Sequence, residues 1–245
     1  MEWFKSWFNK DYTDLYSYRD VNEAKDQISF LFSLAELSKL DRDDCILDVA
    51  CGAGRHLYAM IQQGRNAFGI DLSKELLRTS WEHIEGKVVQ GDMRFLPFGD
   101  SQLSLVTCLF TSFGYFVTEA DELQVLHEIR RVLKERGLFV IDVANKEHVI
   151  STLVPQEVIS YSEGTAAITR SIHQLGSQTR VKKHIELEKE DNQVAHHVED
   201  VHLFDKDELS ALLIKSGFKI VDIFGGFSDE AYHRQSERLI IVCIK

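Results

Sequence analysis

The stretch Ile46-Leu47-Asp48-Val49-Ala50-Cys51-Gly52-Ala53-Gly54-Arg55-His56 constrains this chain more than any other. Its apolar half reads as a buried strand, its small residues as a turn, and the residues from Arg55 as the opening of a helix. Ala50, Gly52 and Gly54 let the backbone approach a ligand closely, and the helix start presents amide groups that have no partner within the helix. A glycine-rich turn alone is weak evidence, because a tight strand-to-helix connection needs the same residues.

The context is more specific. Short apolar runs recur at Ala67 to Asp71, Lys87 to Gln90, Leu103 to Phe110 and Gly137 to Val143, with helix-like segments beginning near Arg55, Ser73 and Glu119. Such alternation predicts βαβ units around a parallel sheet buried on both faces. Ahead of it, Asp20 is placed to cap a helix carrying Ile28, Leu31, Phe32 and Ala35 at helical spacing. Beyond Pro155 the texture changes to alternating β-branched and polar residues from Glu157 to Leu203, with turn signals at Glu163-Gly164, Gly176-Ser177 and Asp191-Asn192. That pattern predicts an antiparallel meander of about four strands. Asp205 to Glu208 opens another helix ending at Gly217, and two strands follow, Phe218 to Phe224 and Arg238 to Ile244.

Composition narrows the function classes. The chain has 245 residues, 44% of them hydrophobic, which suffices for one substantial core and an additional lobe. Its 28 Lys and Arg stand against 39 Asp and Glu, a formal net charge of −11 that argues against gripping a nucleic-acid backbone. No segment approaches the roughly 18 consecutive apolar residues of a membrane span, and the aromatic start is too interrupted by polar residues for a signal peptide. Cys45, Cys51, Cys108 and Cys243 lie in or beside apolar runs without zinc spacing, so reduced thiols, a cytoplasmic setting and no metal site are expected. A homodimer is compatible with these features.

Two further carboxylates stand where an open α/β sheet binds its ligand, at strand C-termini. Asp71 ends the second strand about 20 residues after the turn, where a carboxylate accepts hydrogen bonds from both ribose hydroxyls of an adenosine. Asp92-Met93 ends the third, an acidic and apolar pair suited to an adenine amino group and ring face, with Leu72 for the opposite face. Taken singly, each Asp is equally well a helix N-cap. The dinucleotide fingerprint wants a third glycine where this chain has Leu57, which disfavours a nicotinamide cofactor.

The segments Leu47 to Gly54, Gly69 to Ser73, Gly91 to Arg94, Leu109 to Tyr115, and Arg131 to Lys134 leading into Gly137 to Val140 resemble, in order and spacing, the motifs of class I S-adenosylmethionine-dependent methyltransferases. The resemblance covers about Asp41 to Asn145 and resumes at the last helix and two strands. It implies an α/β fold: a Rossmann-like, seven-stranded, mostly parallel sheet with an antiparallel terminal hairpin, plus an inserted antiparallel β lobe. The expected organisation is an N-terminal helical cap (1–40), a cofactor domain (41–153 and 205–245) and a substrate lobe (154–204).

The resemblance also implies roles. Asp48 fixes the turn and reaches toward the methionine amino group. Gly52 and Gly54 lie against the methionine and ribose parts, Asp71 holds the ribose, and Asp92 and Met93 the adenine. Ala50, Cys51, Leu109 and Phe110 complete the cofactor wall. Ala50 departs from the family pattern, which has glycine there. The Thr111 to Phe116 segment and the late insertion resemble small-molecule members, including amino-sugar N-methyltransferases. Such transfer works mainly by alignment and exclusion of water, so no fixed catalytic set is required. Tyr115 is a candidate to orient the acceptor, with a packing aromatic as the alternative. Tyr16 and Arg19 are candidates for the methionine carboxylate; an aromatic anchor and a solvent-facing arginine are the alternatives. His148 follows the fifth strand closely enough to serve as a proton acceptor, whereas His196 and His197 point to opposite faces of one strand. A non-catalytic cofactor-binding regulator and an RNA-modifying methyltransferase are the competing functions.

Overall fold

The computed structural model describes residues 2–17, 21–79, 84–190, 193–228 and 230–245. Two short helices, α1 (Phe4–Trp7) and α2 (Lys10–Leu15), precede α3 (Val21–Ser33). Strand and helix then alternate through β1 (Cys45–Val49), α4 (Arg55–Gln62), β2 (Asn66–Asp71), α5 (Lys74–Arg78), β3 (Val88–Gln90), β4 (Leu103–Cys108), α6 (Glu119–Val132) and β5 (Leu133–Ala144). A helix absent from the sequence-based expectation, α7 (Lys146–Thr152), leads into β6 (Gln156–Tyr161), β7 (Gly164–Leu175), β8 (Gln178–Lys189) and β9 (Val194–His202). The chain closes with α8 (Lys206–Lys215), β10 (Lys219–Phe224) and β11 (Arg238–Ile244).

Seven strands form one sheet in the order β10-β11-β5-β4-β1-β2-β3, parallel from β3 through to β5, with β11 antiparallel to both its neighbours. The other four form a separate antiparallel sheet, β6-β7-β8-β9. Both agree with the expected fold class. Period-two alternation explains why the seven-stranded sheet is covered on both sides. Leu47, Val106 and Phe139 pack with Val125 and Ile129 of α6 and Leu209 of α8, while Ile46, Leu105 and Val140 pack with Ile28 of α3 and Met60 of α4. Asp48, Thr107 and Asp142 each follow a residue of the second set by two, so all three point to the α3/α4 face, at strand ends.

Several helix starts carry side-chain caps. Ser73 caps α5, Thr118 caps α6, and Asp205 with Glu208 forms a capping box on α8. Asp20, the expected cap of α3, and the turn at Asp191-Asn192 lie outside the described residues. Two boundaries differ from expectation. β4 stops at Cys108 because Phe110 and Thr111 adopt left-handed φ of 59° and 62°. β5 starts at Leu133 rather than Gly137, running on through a register shift opposite Leu103/Leu105 and a left-handed Arg136 (φ 65°).

Candidate functional site

β1 delivers the chain into a turn that is left-handed at Ala50 (φ 55°), Gly52 (φ 57°) and Gly54 (φ 82°). A Cβ on Gly54 would stand 2.2 Å from Ile84 Cδ1 and would hold a left-handed φ, so a side chain at the start of α4 would be strained. The turn is cross-braced from β2: Gly52 N–H donates to Asp71 Oδ2 at 2.7 Å and Ser73 N–H donates to Oδ1 at 2.8 Å. Asp71 is therefore a brace, and Ser73, not Asp71, caps the following helix. Burial pushes the Asp71 carboxyl up, against the lowering effect of backbone donors at Ser73, Gly52 and Leu72.

Asp48 lies behind the turn, 1% exposed. Thr107 Oγ1 donates to its Oδ1 at 2.7 Å, and its Oδ2 is buried with no partner among the described residues. Burial, with a smaller contribution from the charge of Asp71, pushes this carboxyl up to about 7; the Thr107 hydrogen bond and Arg55 oppose the shift. Arg55, at the other end of the turn, ion-pairs with Glu23 at 2.6 Å and lies 4.2 Å from the Phe110 ring centroid. Its Nη2 is also buried without a partner among the described residues. An orphaned carboxylate oxygen and an orphaned guanidinium nitrogen thus flank the turn in sequence.

A cavity of about 350 Å³ opens beside it. Its wall includes Tyr16, Ala50, Cys51 and Gly52, then Asp71 and Leu72 past β2, Asp92 and Met93 past β3, and Leu109, Phe110 and Tyr115 past β4. These sequence-selected residues come together in space; Asp48 lies beneath them, and Arg19 is outside the described residues. Asp92 is held by Arg94, whose Nη2 donates to Oδ2 at 2.7 Å and whose backbone N–H donates to Oδ1 at 2.9 Å. Burial alone would raise the Asp92 carboxyl, but the Arg94 contacts outweigh it and hold the group low. Arg94 also pairs with Glu2 and Asp121, tying the N-terminus and α6 to this edge.

The loop after β4 is strained at two consecutive residues, Phe110 and Thr111, and the surrounding contacts over-determine it. Phe110 N–H donates to the fully buried Asp142 Oδ2 at 2.7 Å, and Thr111 N–H donates to the Asp142 carbonyl at 2.9 Å. Arg238 pairs with Asp142 at 2.8 Å and donates to Thr111 Oγ1 at 3.1 Å. The terminal hairpin makes this geometry, because β11 lies against β5. Neither role was read from the sequence, although the aspartate inside the apolar run Phe139 to Val143 is a visible signal.

The far side of the same loop is clamped by Arg180 of β8, 1% exposed. Its Nε donates to Asp200 Oδ1, Nη1 to the Phe116 carbonyl and Gln178, and Nη2 to the carbonyls of Gly114 and Asp200, so all five N–H donors have acceptors. Gly114 (φ 99°) permits this approach, since a Cβ there would sit 2.7 Å from the His202 carbonyl oxygen. The two carbonyls that flank Tyr115 are thereby fixed from the antiparallel sheet. Burial pushes the Tyr115 phenol well above its ordinary value, so it stays protonated at neutral pH.

A second cavity, about 400 Å³, adjoins the first and shares Phe8, Tyr12, Phe110 and Tyr115 with it. α7 contributes Val149 and Thr152, and the antiparallel sheet contributes Arg170, Lys183 and Glu199. His148 lines neither cavity; its ring nitrogen meets the Gln235 carbonyl at 3.3 Å. His197 faces the N-terminal helices and meets Asp11 at 3.0 Å, whereas His196 is exposed. Among the described residues no group of side chains has the arrangement of a metal site, and no helix is long and apolar enough to cross a membrane.

Residues 46–137 match a family described as a methyltransferase domain. Over 227 residues the chain is 26% identical to the dTDP-3-amino-3,4,6-trideoxy-alpha-D-glucopyranose N,N-dimethyltransferase of Streptomyces venezuelae, covering 89% of this chain and 94% of that one. The CcbJ methyltransferase from Streptomyces caelestis superposes over 98% of both chains with TM-score 0.79 at 16% identity. An S-adenosylmethionine-bound amino pentose methyltransferase from Micromonospora echinaspora superposes over 91% of this chain and 90% of that one, with TM-score 0.67 at 21% identity. At those identities the structural likeness speaks for the fold. The cavity fits a nucleoside bearing an amino-acid head: carboxylates line it at Asp71 and Asp92, and orphaned groups of both signs flank its turn. Residues 46–137 thus carry a methyltransferase domain on the fold of the class I methyltransferases, and the cofactor is S-adenosylmethionine.

Proposed function

We propose that this enzyme methylates a nitrogen or oxygen nucleophile of a small molecule seated in the second cavity, with the antiparallel lobe (154–204) supplying selectivity. The observation that carries this reading is the wall common to both cavities, Phe8, Tyr12, Phe110 and Tyr115, across which a cofactor and an acceptor would face each other. Asp71 holds the ribose hydroxyls while bracing the turn. Asp92 accepts from the adenine amino group, with Met93 and Leu72 against the ring. Arg55, which the sequence analysis passed over, takes the methionine carboxylate, and Asp48 favours the ammonium.

When bound, S-adenosylmethionine supplies a methyl group on a positively charged sulfur, which an aligned nucleophile displaces in line. The chain's part is alignment and dryness. Trp3, Phe4 and Phe8 pack on Tyr115 with ring centroids at 5.0, 6.0 and 5.8 Å, which closes that wall to water. A protonated Tyr115 donates a hydrogen bond to the acceptor and does not serve as a phenolate base. His148, off both walls, has no part in this scheme. Relatives that act on amino sugars make amines the first acceptors to screen. The acidic charge balance favours a small-molecule enzyme over an RNA-modifying one.

Calorimetric titration with S-adenosylmethionine, followed by a screen of amines and hydroxy compounds for S-adenosylhomocysteine release, tests the proposal. Turnover by a low-molecular-weight acceptor is the expected outcome. Turnover confined to RNA would overturn it.

A further inference from the structure

The inner face of the antiparallel sheet, which packs on α1 and α2, is built from cross-strand rows. Ala166, Leu187 and Ala195 form one row, Ile168, Ile185 and His197 the next, and Ile172, Val181 and Val201 a third. These are apolar except for His197. Between the last two lies a row charged on all three strands, Arg170, Lys183 and Glu199. This row, with Glu157 of β6 and with Val181 and Val201 of the third row, borders the second cavity.

Sheet stability does not explain that placement. Arg170 and Lys183 stand directly opposite each other, an unfavourable like-charge pairing. Half-buried ion pairs gain little over apolar residues of similar size, such as those that make up most of the rows on either side. The partners are also unequally occupied. Glu199 receives Trp7 Nε1–H at 2.7 Å and the Tyr16 hydroxyl at 3.5 Å on Oε1, and Lys183 at 2.7 Å on Oε2. Lys183, with three N–H donors, has Glu199 as its hydrogen-bonding partner among the described residues. Arg170 donates to Glu157 and, at 3.3 Å, to the Val154 carbonyl, which leaves part of its five-donor fork unengaged. The unspent capacity at the cavity wall is chiefly donor capacity on two adjacent cations.

We propose that Arg170 and Lys183 form an anion subsite that binds a carboxylate or phosphate group of the methyl acceptor; this rests on the second cavity being the acceptor pocket. Glu157 and Glu199 hold the two cations in place and balance their charge when the pocket is empty. An anion entering between them gains charge-assisted hydrogen bonds, bidentate at the guanidinium. Val149, Leu153, Val181 and Val201 receive the apolar part of the same molecule.

Four amines that differ in one substituent test this: ethanolamine, phosphoethanolamine, β-alanine and ethylenediamine, each titrated into enzyme loaded with S-adenosylhomocysteine. Phosphoethanolamine or β-alanine should bind roughly tenfold or more tighter than ethanolamine, and which of them leads identifies phosphate or carboxylate as the source. Arg170→Gln and Lys183→Gln should each remove that preference while leaving the S-adenosylhomocysteine affinity intact. Glu199→Gln should strengthen anion binding, because it releases Lys183; a Lys183 that only braces the sheet would give no such gain. Equal binding of all four amines, preference for ethylenediamine, no saturable binding of either anion, or an anion preference that survives in both folded cation variants overturns the subsite. Anion binding that depends on Lys183 in an enzyme that methylates no small molecule would instead retain the subsite and refute the acceptor role. Methylation of neutral amines without anion binding would do the reverse.

Discussion

The parallel and antiparallel sheets place their charged residues by different rules. In the parallel sheet Asp48, Asp71 and Asp142 all stand at or near strand C-termini, where backbone N–H groups of the turns meet Asp71 and Asp142 and the Thr107 hydroxyl meets Asp48. In the antiparallel sheet Arg170, Lys183, Arg180, Glu199 and Asp200 sit within strands and find their partners across strands or on other elements. The first arrangement follows from topology, because every parallel strand must end in a turn on the same side. The second follows from register, which brings together residues far apart in sequence. If the two regions are also functionally distinct, damage to one should leave the chemistry of the other measurable.

The largest expected effect is at the joint between them. Arg180→Met would take the guanidinium from the Asp200 carboxylate, which keeps His173, and from the carbonyls of Gly114 and Asp200, which keep His202 N–H and Trp3 Nε1, and would leave the Phe116 carbonyl without its donor, a loss of up to about 3–5 kcal/mol by analogy with broken buried ion pairs. Urea denaturation would measure it. Under conditions where the variant is folded, cofactor affinity should persist while methyl transfer falls, since the loop carrying Tyr115 loses its clamp but the β1 turn does not. An equal fall in both would show that the two sheets act as one unit.

The cofactor side has its own signature in pH. Asp48 titrates near 7 in the folded chain against an ordinary value of 3.8, so the native state keeps this proton longer than the unfolded chain does. Its stabilising share is complete below pH 4 and is lost as pH rises toward 7, by at most ~4 kcal/mol. Asp48→Asn should flatten that decline in ligand-free protein, read as unfolding midpoints across the same window. Cofactor affinity of the wild type should move oppositely, tightening as Asp48 ionises opposite the ammonium, whereas the variant should bind weakly at every pH. A wild-type affinity independent of pH would place the ammonium elsewhere.

Asp71→Ala removes the brace on Gly52 and Ser73 together with the proposed ribose acceptor. It should weaken cofactor binding about a hundredfold or more in calorimetry, from charge-assisted hydrogen bonds of about 1.5–3 kcal/mol each. An unchanged dissociation constant would remove the ribose from Asp71. Asp71 also shows what the sequence could disclose. Its place at a strand end, its spacing from the turn and the small residues of that turn were all local, and the Ala50 to Gly52 turn, Asp71, Asp92, Met93 and the Leu109 to Tyr115 loop do share one cavity. Its second job as a brace was not legible, because the donor lies on another strand-turn unit. Arg180 was less legible still: it is one of several basic residues in an alternating strand, and only the bend of the chain at Gly114 brings the Gly114 and Phe116 carbonyls to it. His148 illustrates the converse error, since nearness in sequence to the fifth strand did not place its ring on either cavity wall.

The smallest effect tests the one departure from the family pattern. Ala50 holds φ at 55°, in a region that costs an L-residue about 1–2 kcal/mol, while glycine enters it freely but brings a more flexible unfolded chain worth about 0.5–1 kcal/mol. Ala50→Gly should therefore raise the stability of the ligand-free protein by up to ~1 kcal/mol in chemical denaturation. Because the methyl borders the cavity without carrying a polar contact, cofactor affinity should shift by no more than about twofold, below ~0.5 kcal/mol. A loss of stability would mean that the methyl packs well enough to outweigh its backbone strain. Unaltered stability with much weaker binding would assign Ala50 to the ligand and not to the turn, and the strained backbone of this sheet's ligand edge would then be a property of the β4 loop alone.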